Sequence, residues 1–150
     1  MQYDSLRLKD ILVPVDGSEA SLDALALACM LAKRNKGTVY AVYVIEVART
    51  LPLDAELTPE ARQGEEILTR AEQVADSLDF EVAGELLQAR DAGHAIVDEA
   101  IERQVDSIIL GMGYERPLGE FQMDPRAQYI IKNAPCQVIV SRGPARGSMP

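Results

Sequence analysis

The 150-residue chain predicts a single-domain α/β fold, a doubly wound sheet of five parallel strands in the order 3-2-1-4-5 with about four helices. Three observations carry this. Five short runs rich in Val, Ile and Leu alternate with four amphipathic helical patterns. Most of those runs are nearly continuous in apolar residues, as strands covered on both faces should be. Finally, crossovers between parallel strands are right-handed, which restricts a β-α-β-α-β-α-β-α-β chain to a few winding orders.

The first strand is read at residues 11–15, Ile11-Leu12-Val13-Pro14-Val15. Ser18 then caps a helix with Leu22, Leu25, Ala26 and Cys29 on one face, ending near Gly37. The second strand is read at 39–44. The stretch 47–56 that follows carries Pro and charge without a period, so it reads as a surface excursion rather than a lid. Thr58 is the expected cap of the next helix, with Pro59 in its first turn. Ile67, Leu68, Ala71, Val74, Ala75 and Leu78 recur there at helical spacing.

The third strand is read at 81–87 and a third helix at 94–103, with Ile96, Val97, Ala100 and Ile101 inward. The fourth strand, 107–110, ends in Gly111-Met112-Gly113. A last helix opens at Asp124-Pro125 and stops before Pro135, and the fifth strand follows at 137–140. Residues 1–142 form the expected domain, and 143–150 an expected disordered tail. This Rossmann-like winding makes strands 1 and 4 neighbours where the order reverses. The loops at Asp16 and Gly111 therefore line one crevice, the place where ligands sit in such sheets.

Composition narrows the function classes. Fifteen Lys and Arg against 24 Asp and Glu give a net charge of −9, which repels nucleic-acid backbones and anionic membranes. The N-terminal residues lack the blocks of a signal peptide, and no apolar stretch approaches the roughly 18 residues of a membrane span. A cytoplasmic protein is expected, with Cys29 and Cys136 as reduced, buried or half-buried thiols. His94, the only histidine, has no nucleophile or second metal ligand placed by a motif and reads as a helix-start residue. No catalytic residue and no metal site is assigned.

The opening Ile11-Leu12-Val13-Pro14-Val15-Asp16-Gly17-Ser18-Glu19, with Val42-Tyr43-Val44-Ile45 after the first helix, resembles that of the universal stress protein family. The closing Tyr129-Ile130-Ile131-Lys132-Asn133-Ala134-Pro135-Cys136-Gln137-Val138-Ile139-Val140, with its Ala-Pro-Cys step, is similar to that family's last helix and strand. Asp91-Ala92-Gly93-His94 resembles its middle, so the likeness spans residues 8–142. The resemblance implies a stress-response protein that dimerises through its last strand and acts on an unidentified protein partner. It also implies an adenine-nucleotide site, with Asp16 at the base and ribose, the Val44 backbone at adenine and Gly111 near the phosphates, while Gly111 and Gly113 together allow close approach of a ligand. ATP or another adenine nucleotide is the implied cofactor.

Family members that bind ATP carry G-x2-G-x9-G-[ST] in the late loop, and those positions fall here on Gly111, Tyr114, Asp124 and Pro125. Glycines there let the backbone approach phosphates, and the last helix offers donors at the positive end of its dipole. An aspartate cap and a proline without N–H reverse that chemistry. An unneutralised aspartate about 4 Å from a phosphate costs on the order of 1 kcal/mol per charge pair in water, and several times more in a sheltered crevice.

Residue by residue, bland readings stand beside these. Asp16 also suits a turn, Val44 a strand core, and Gly111 and Gly113 a turn after a strand, since Arg116 stands where a third glycine is needed. Tyr114 either fills the phosphate space or stacks on a ligand, while Tyr129, Ile130 and Ile131 read as packing residues. Gly113, Gly119, Arg116 and Arg126 offer another route to a phosphate. The broken pattern favours a nonenzymatic dimer that does not bind ATP in the family's usual mode. The alternative is a sensor of AMP, ADP, ATP or a cyclic nucleotide. A slow nucleotide hydrolase would need a ligand set that Asp16, Asp124 and Glu115 do not form by any recognisable spacing.

Overall fold

The computed structural model describes residues 8–114 and 123–144. Arg116, Gly119 and Glu115 lie outside the described residues, as does most of the expected tail. The elements follow in order: β1 (Asp10–Pro14), α1 (Glu19–Arg34), β2 (Thr38–Glu46), α2 (Thr58–Ser77), β3 (Ala83–Ala89), α3 (Ala92–Arg103), β4 (Ser107–Met112), α4 (Pro125–Asn133) and β5 (Gln137–Arg142). They build a sheet in the order β3-β2-β1-β4-β5, with every pairing parallel.

Because strand side chains alternate between faces, each continuous apolar run feeds two cores. Ile11 and Val13 of β1 and Ile109 of β4 join Leu25, Cys29, Ile67 and Ala71 under α1 and α2. Leu12 of β1 and Ile108 and Leu110 of β4 turn the other way, onto Ile96, Val97 and Ile130 of α3 and α4. Ile11, Leu12, Val13, Ile108 and Ile109 have no exposed surface. Burial of each such side chain contributes roughly 1.5–3 kcal/mol, so the centre of the sheet anchors the crevice above it.

Several local expectations need correction. Ser18 caps α1 as read, accepting the Ser21 N–H at 3.1 Å, but the residue capping α2 is Leu57, which makes no side-chain cap bond. Thr58 lies inside that helix. Asp91 caps α3, so the helix begins at Ala92 rather than His94. Ile101 is 53% exposed, not inward, because it sits about 100° around the helix from buried Ala100. Ile131 is likewise exposed beside buried Ile130. The 47–56 connection is tied to the sheet edge: Gln88 Nε2 donates to the carbonyls of Leu53 and Ala55, and Arg90 Nη1 to those of Val47 and Ala48.

Candidate functional site

A crevice of about 320 Å³ opens at the carboxyl ends of β1, β2 and β4, roofed by α3 and α4. That volume is at the low end of small-molecule pockets, which run from about 300 to 1,000 Å³. Its lining includes Val15, Val42, Val44, Ile96, Leu110 and Ile130 as apolar surface, and Asp16, Ser21, Asp124 and Arg126 as polar groups. Three of the four residues singled out by the sequence, Asp16, Val44 and Gly111, lie on this wall. Gly113 is described but does not line it. Ser21, Met112 and Ala92 line it without having been singled out, since small or apolar helix and strand residues carry no chemical signal.

Asp16 serves as both turn residue and crevice wall. Its Oδ1 accepts the Ser18 N–H at 2.9 Å while its own N–H donates to Ser21 Oγ at 3.3 Å, across the left-handed Gly17 at φ 88°. Ser21 Oγ in turn donates to the Ser18 carbonyl at 2.9 Å. Partial burial works to raise the Asp16 carboxyl, but hydrogen bonds from Ser18 and Ser21 and the charge of Arg126 outweigh it and hold the group below its usual range. Asp16 is thus an ionised acceptor at the crevice mouth.

Gly111 owes its identity to packing. It lies within β4 rather than after it, and a Cβ there would stand 2.2 Å from the Ala20 carbonyl oxygen at the start of α1. The glycine lets helix and strand touch; room for a ligand is not what demands it. Tyr114 is not among the residues that line the crevice, and its ring lies beneath the Arg142 guanidinium at 4.9 Å.

Asp124 caps α4. Its Oδ1 accepts the Arg126 backbone N–H at 2.7 Å, and its two oxygens receive Arg126 Nε and Nη2 at 3.3 and 3.1 Å. The Arg126 hydrogen bonds hold the Asp124 carboxyl below the usual range, while Asp124, Glu46 and Asp16 together push the guanidinium upward. The expected unneutralised aspartate is therefore a paired one. Pro125, next in the helix, has no N–H to offer.

His94 lies to one side of this arrangement. Its Nδ1 is 2.8 Å from Asp91 Oδ1 and its ring stacks on Tyr129 at 3.8 Å between centroids, which joins α3 to α4. The helix-start role expected of it holds, with Tyr129 half-buried as a packing partner. Both cysteines are free thiols, Cys29 buried and Cys136 half-buried, and burial pushes Cys29 up to about 11. Among the described residues, no group of three His, Cys, Asp or Glu could hold a metal, and no helix is long and apolar enough to cross a membrane.

Comparison with known proteins gives a consistent picture. Residues 7–142 match the model of the universal stress protein family. A universal stress protein of Methanocaldococcus jannaschii is 31% identical over 144 residues, 92% of this chain and 84% of its own. Among solved structures, a universal stress protein of Archaeoglobus fulgidus superposes with a TM-score of 0.76 at 24% identity, covering 88% of this chain and 97% of that one. A structure of the universal stress protein from that organism in complex with dAMP gives 0.71 at 22% identity, covering 88% and 96%.

Proposed function

Because this chain belongs to the universal stress protein family, we propose that it is a nonenzymatic stress-response protein whose crevice takes a small ligand without holding ATP in the family's usual mode. The observation that carries this is the 2.7 Å bond from the Arg126 N–H to Asp124 Oδ1. A helix N-terminus binds phosphate by offering unpaired amides and a positive dipole end. At α4 one of those amides is absent at Pro125 and the next already serves the chain's own carboxylate. The triphosphate cradle and this donor set do not fit each other.

Other features support the rest of the reading. The lone histidine is engaged with Asp91 and Tyr129 rather than aimed into the crevice. β5 is an edge strand with Val140 exposed, suited to pairing with a second copy, so the protein acts as a homodimer in the cytoplasm, in keeping with its two free thiols.

A second reading, an adenine-nucleotide sensor, is favoured by the lining of the crevice with Asp16, Val44 and Gly111 and by the dAMP complex of the Archaeoglobus relative. Thermal melting separates the two. With millimolar MgATP the melting temperature is expected to stay within a degree of the unliganded value, since about 100-fold saturation of a specific site adds about 2.7 kcal/mol. A rise of several degrees with MgATP overturns the first reading in favour of the second.

A further inference from the structure

The seam between the edge strand β3 and α3 holds a cluster of ionisable groups outside the crevice. Glu85 of β3 and Glu99 of α3 both accept from the Arg103 guanidinium, Glu99 Oε2 from Nε at 3.0 Å. Their side chains are only 16% and 14% exposed, so neither carboxyl group is well solvated. The two carboxyl groups also lie within hydrogen-bond reach of each other. Ionised carboxylates only accept, so that contact is attractive when one of the pair carries a proton to donate.

The charges around the pair agree with this. Among the described residues, the titratable groups that face Glu85 are Glu99, Glu102 and Arg103 of α3 and, beside Arg103, Tyr40 of β2, whose ring lies 5.0 Å from the guanidinium carbon. From α2, Glu72 approaches Gly84, on the opposite face of the strand from Glu85. With one proton, the pair carries a single negative charge that matches the guanidinium. Without it, two poorly solvated carboxylates stand in contact, and Glu102 adds to the repulsion. Glu85 is the member that keeps the proton: burial and then Glu99 raise it to about 7, while hydrogen bonds from Glu85 and Arg103 hold Glu99 below its usual range.

We infer that Glu85 and Glu99 share one proton across this seam as a pH-sensitive latch, and that its loss releases the last turn of α3 from the sheet edge. The latch is closed in mild acid and opens as the pH rises through about 7. At its other end α3 carries Ala92 and Ile96 in the crevice wall, so the latch holds a helix on which the crevice is built.

NMR of the full chain from about pH 5 to 8 tests this. The side-chain carboxyl ¹³C resonance of Glu85 is expected to titrate near 7 in wild type, and well below that in Glu99→Gln, where no second charge opposes its ionisation. The amides that close α3 are those of Glu102, Arg103, Gln104 and Val105. Their protection from exchange is expected to fall several-fold per pH unit above 7, towards the ten-fold that loss of one proton allows. Glu85→Gln offers Glu99 a permanent neutral donor, and Glu99→Gln removes one of the two charges, so in both variants that protection should stay level. A Glu85 resonance that titrates in the ordinary carboxylate range overturns the shared proton. Titration near 7 with the same slope of protection in wild type and both variants overturns the latch.

Discussion

Asp124 Oδ1 lies 2.7 Å from the Arg126 backbone nitrogen, and the same carboxylate grips the Arg126 guanidinium through Nε and Nη2. One side chain thus closes the helix end and holds its neighbour's charge. Asp124→Ala should lower folding stability by about 1 kcal/mol, the usual loss on removing a helix cap, whereas Asp124→Asn should cost clearly less. Urea midpoints of the three proteins check this. Equal midpoints for wild type and the alanine variant would mean that the cap contributes nothing.

Gly111→Ala should destabilise the chain by about 3 kcal/mol or more, because the new methyl must push the Ala20 carbonyl away from 2.2 Å. That loss is expected with no ligand in solution. A variant that keeps its unfolding midpoint and loses only ligand affinity would reassign the glycine from packing to binding.

Ser107 is fully buried at the start of β4, and its Oγ has no hydrogen-bond partner among the described residues. A buried hydroxyl without a partner costs on the order of 1–3 kcal/mol of desolvation. Ser107→Ala is therefore expected to leave stability unchanged or raise it by about 1 kcal/mol, read by denaturant unfolding. A clear loss would show that the hydroxyl is satisfied.

Glu85 of β3 and Glu99 of α3 share the Arg103 guanidinium, which also lies over the Tyr40 ring at 5.0 Å. Burial first, then the hydrogen bond and charge of Glu99 with a smaller push from Glu102, raise Glu85 to about 7 against the opposing charge of Arg103. An acid raised in the folded state keeps a proton that the unfolded chain releases near 4.5, so its stabilisation is complete below that pH and is lost as the pH climbs through 7. Glu99 is lowered, and its own dependence falls at or below 4.5, outside this window. Between about pH 5 and 8 the unfolding free energy of wild type should fall more steeply than that of Glu85→Gln. Parallel pH profiles would contradict the raised value.

Much of this was legible from the order of residues because it depends on backbone periodicity. The runs in β1 and β4 announce strands buried on both faces, and their adjacency at the reversal of winding puts Asp16 and Gly111 on one crevice. What escaped depends on side-chain direction and close approach. Nothing local says that Gly111 faces the backbone of α1, that Tyr114 lies under Arg142, or that Arg126 folds back onto Asp124. Ile101 and Ile131 were misread for a related reason: each follows a buried residue, Ala100 or Ile130, and one step along a helix turns a side chain away from the core.

The Arg126 amide is the atom on which the ATP reading turns, and its ¹H–¹⁵N resonance can be followed as MgATP is added to the full chain. With Asp124 in possession of that N–H, the resonance should hold its position up to millimolar nucleotide, and should move only after Asp124→Gly with Pro125→Ser frees the helix end. A saturable shift of the Arg126 amide in the unaltered protein would place phosphate at the start of α4 and contradict the reading.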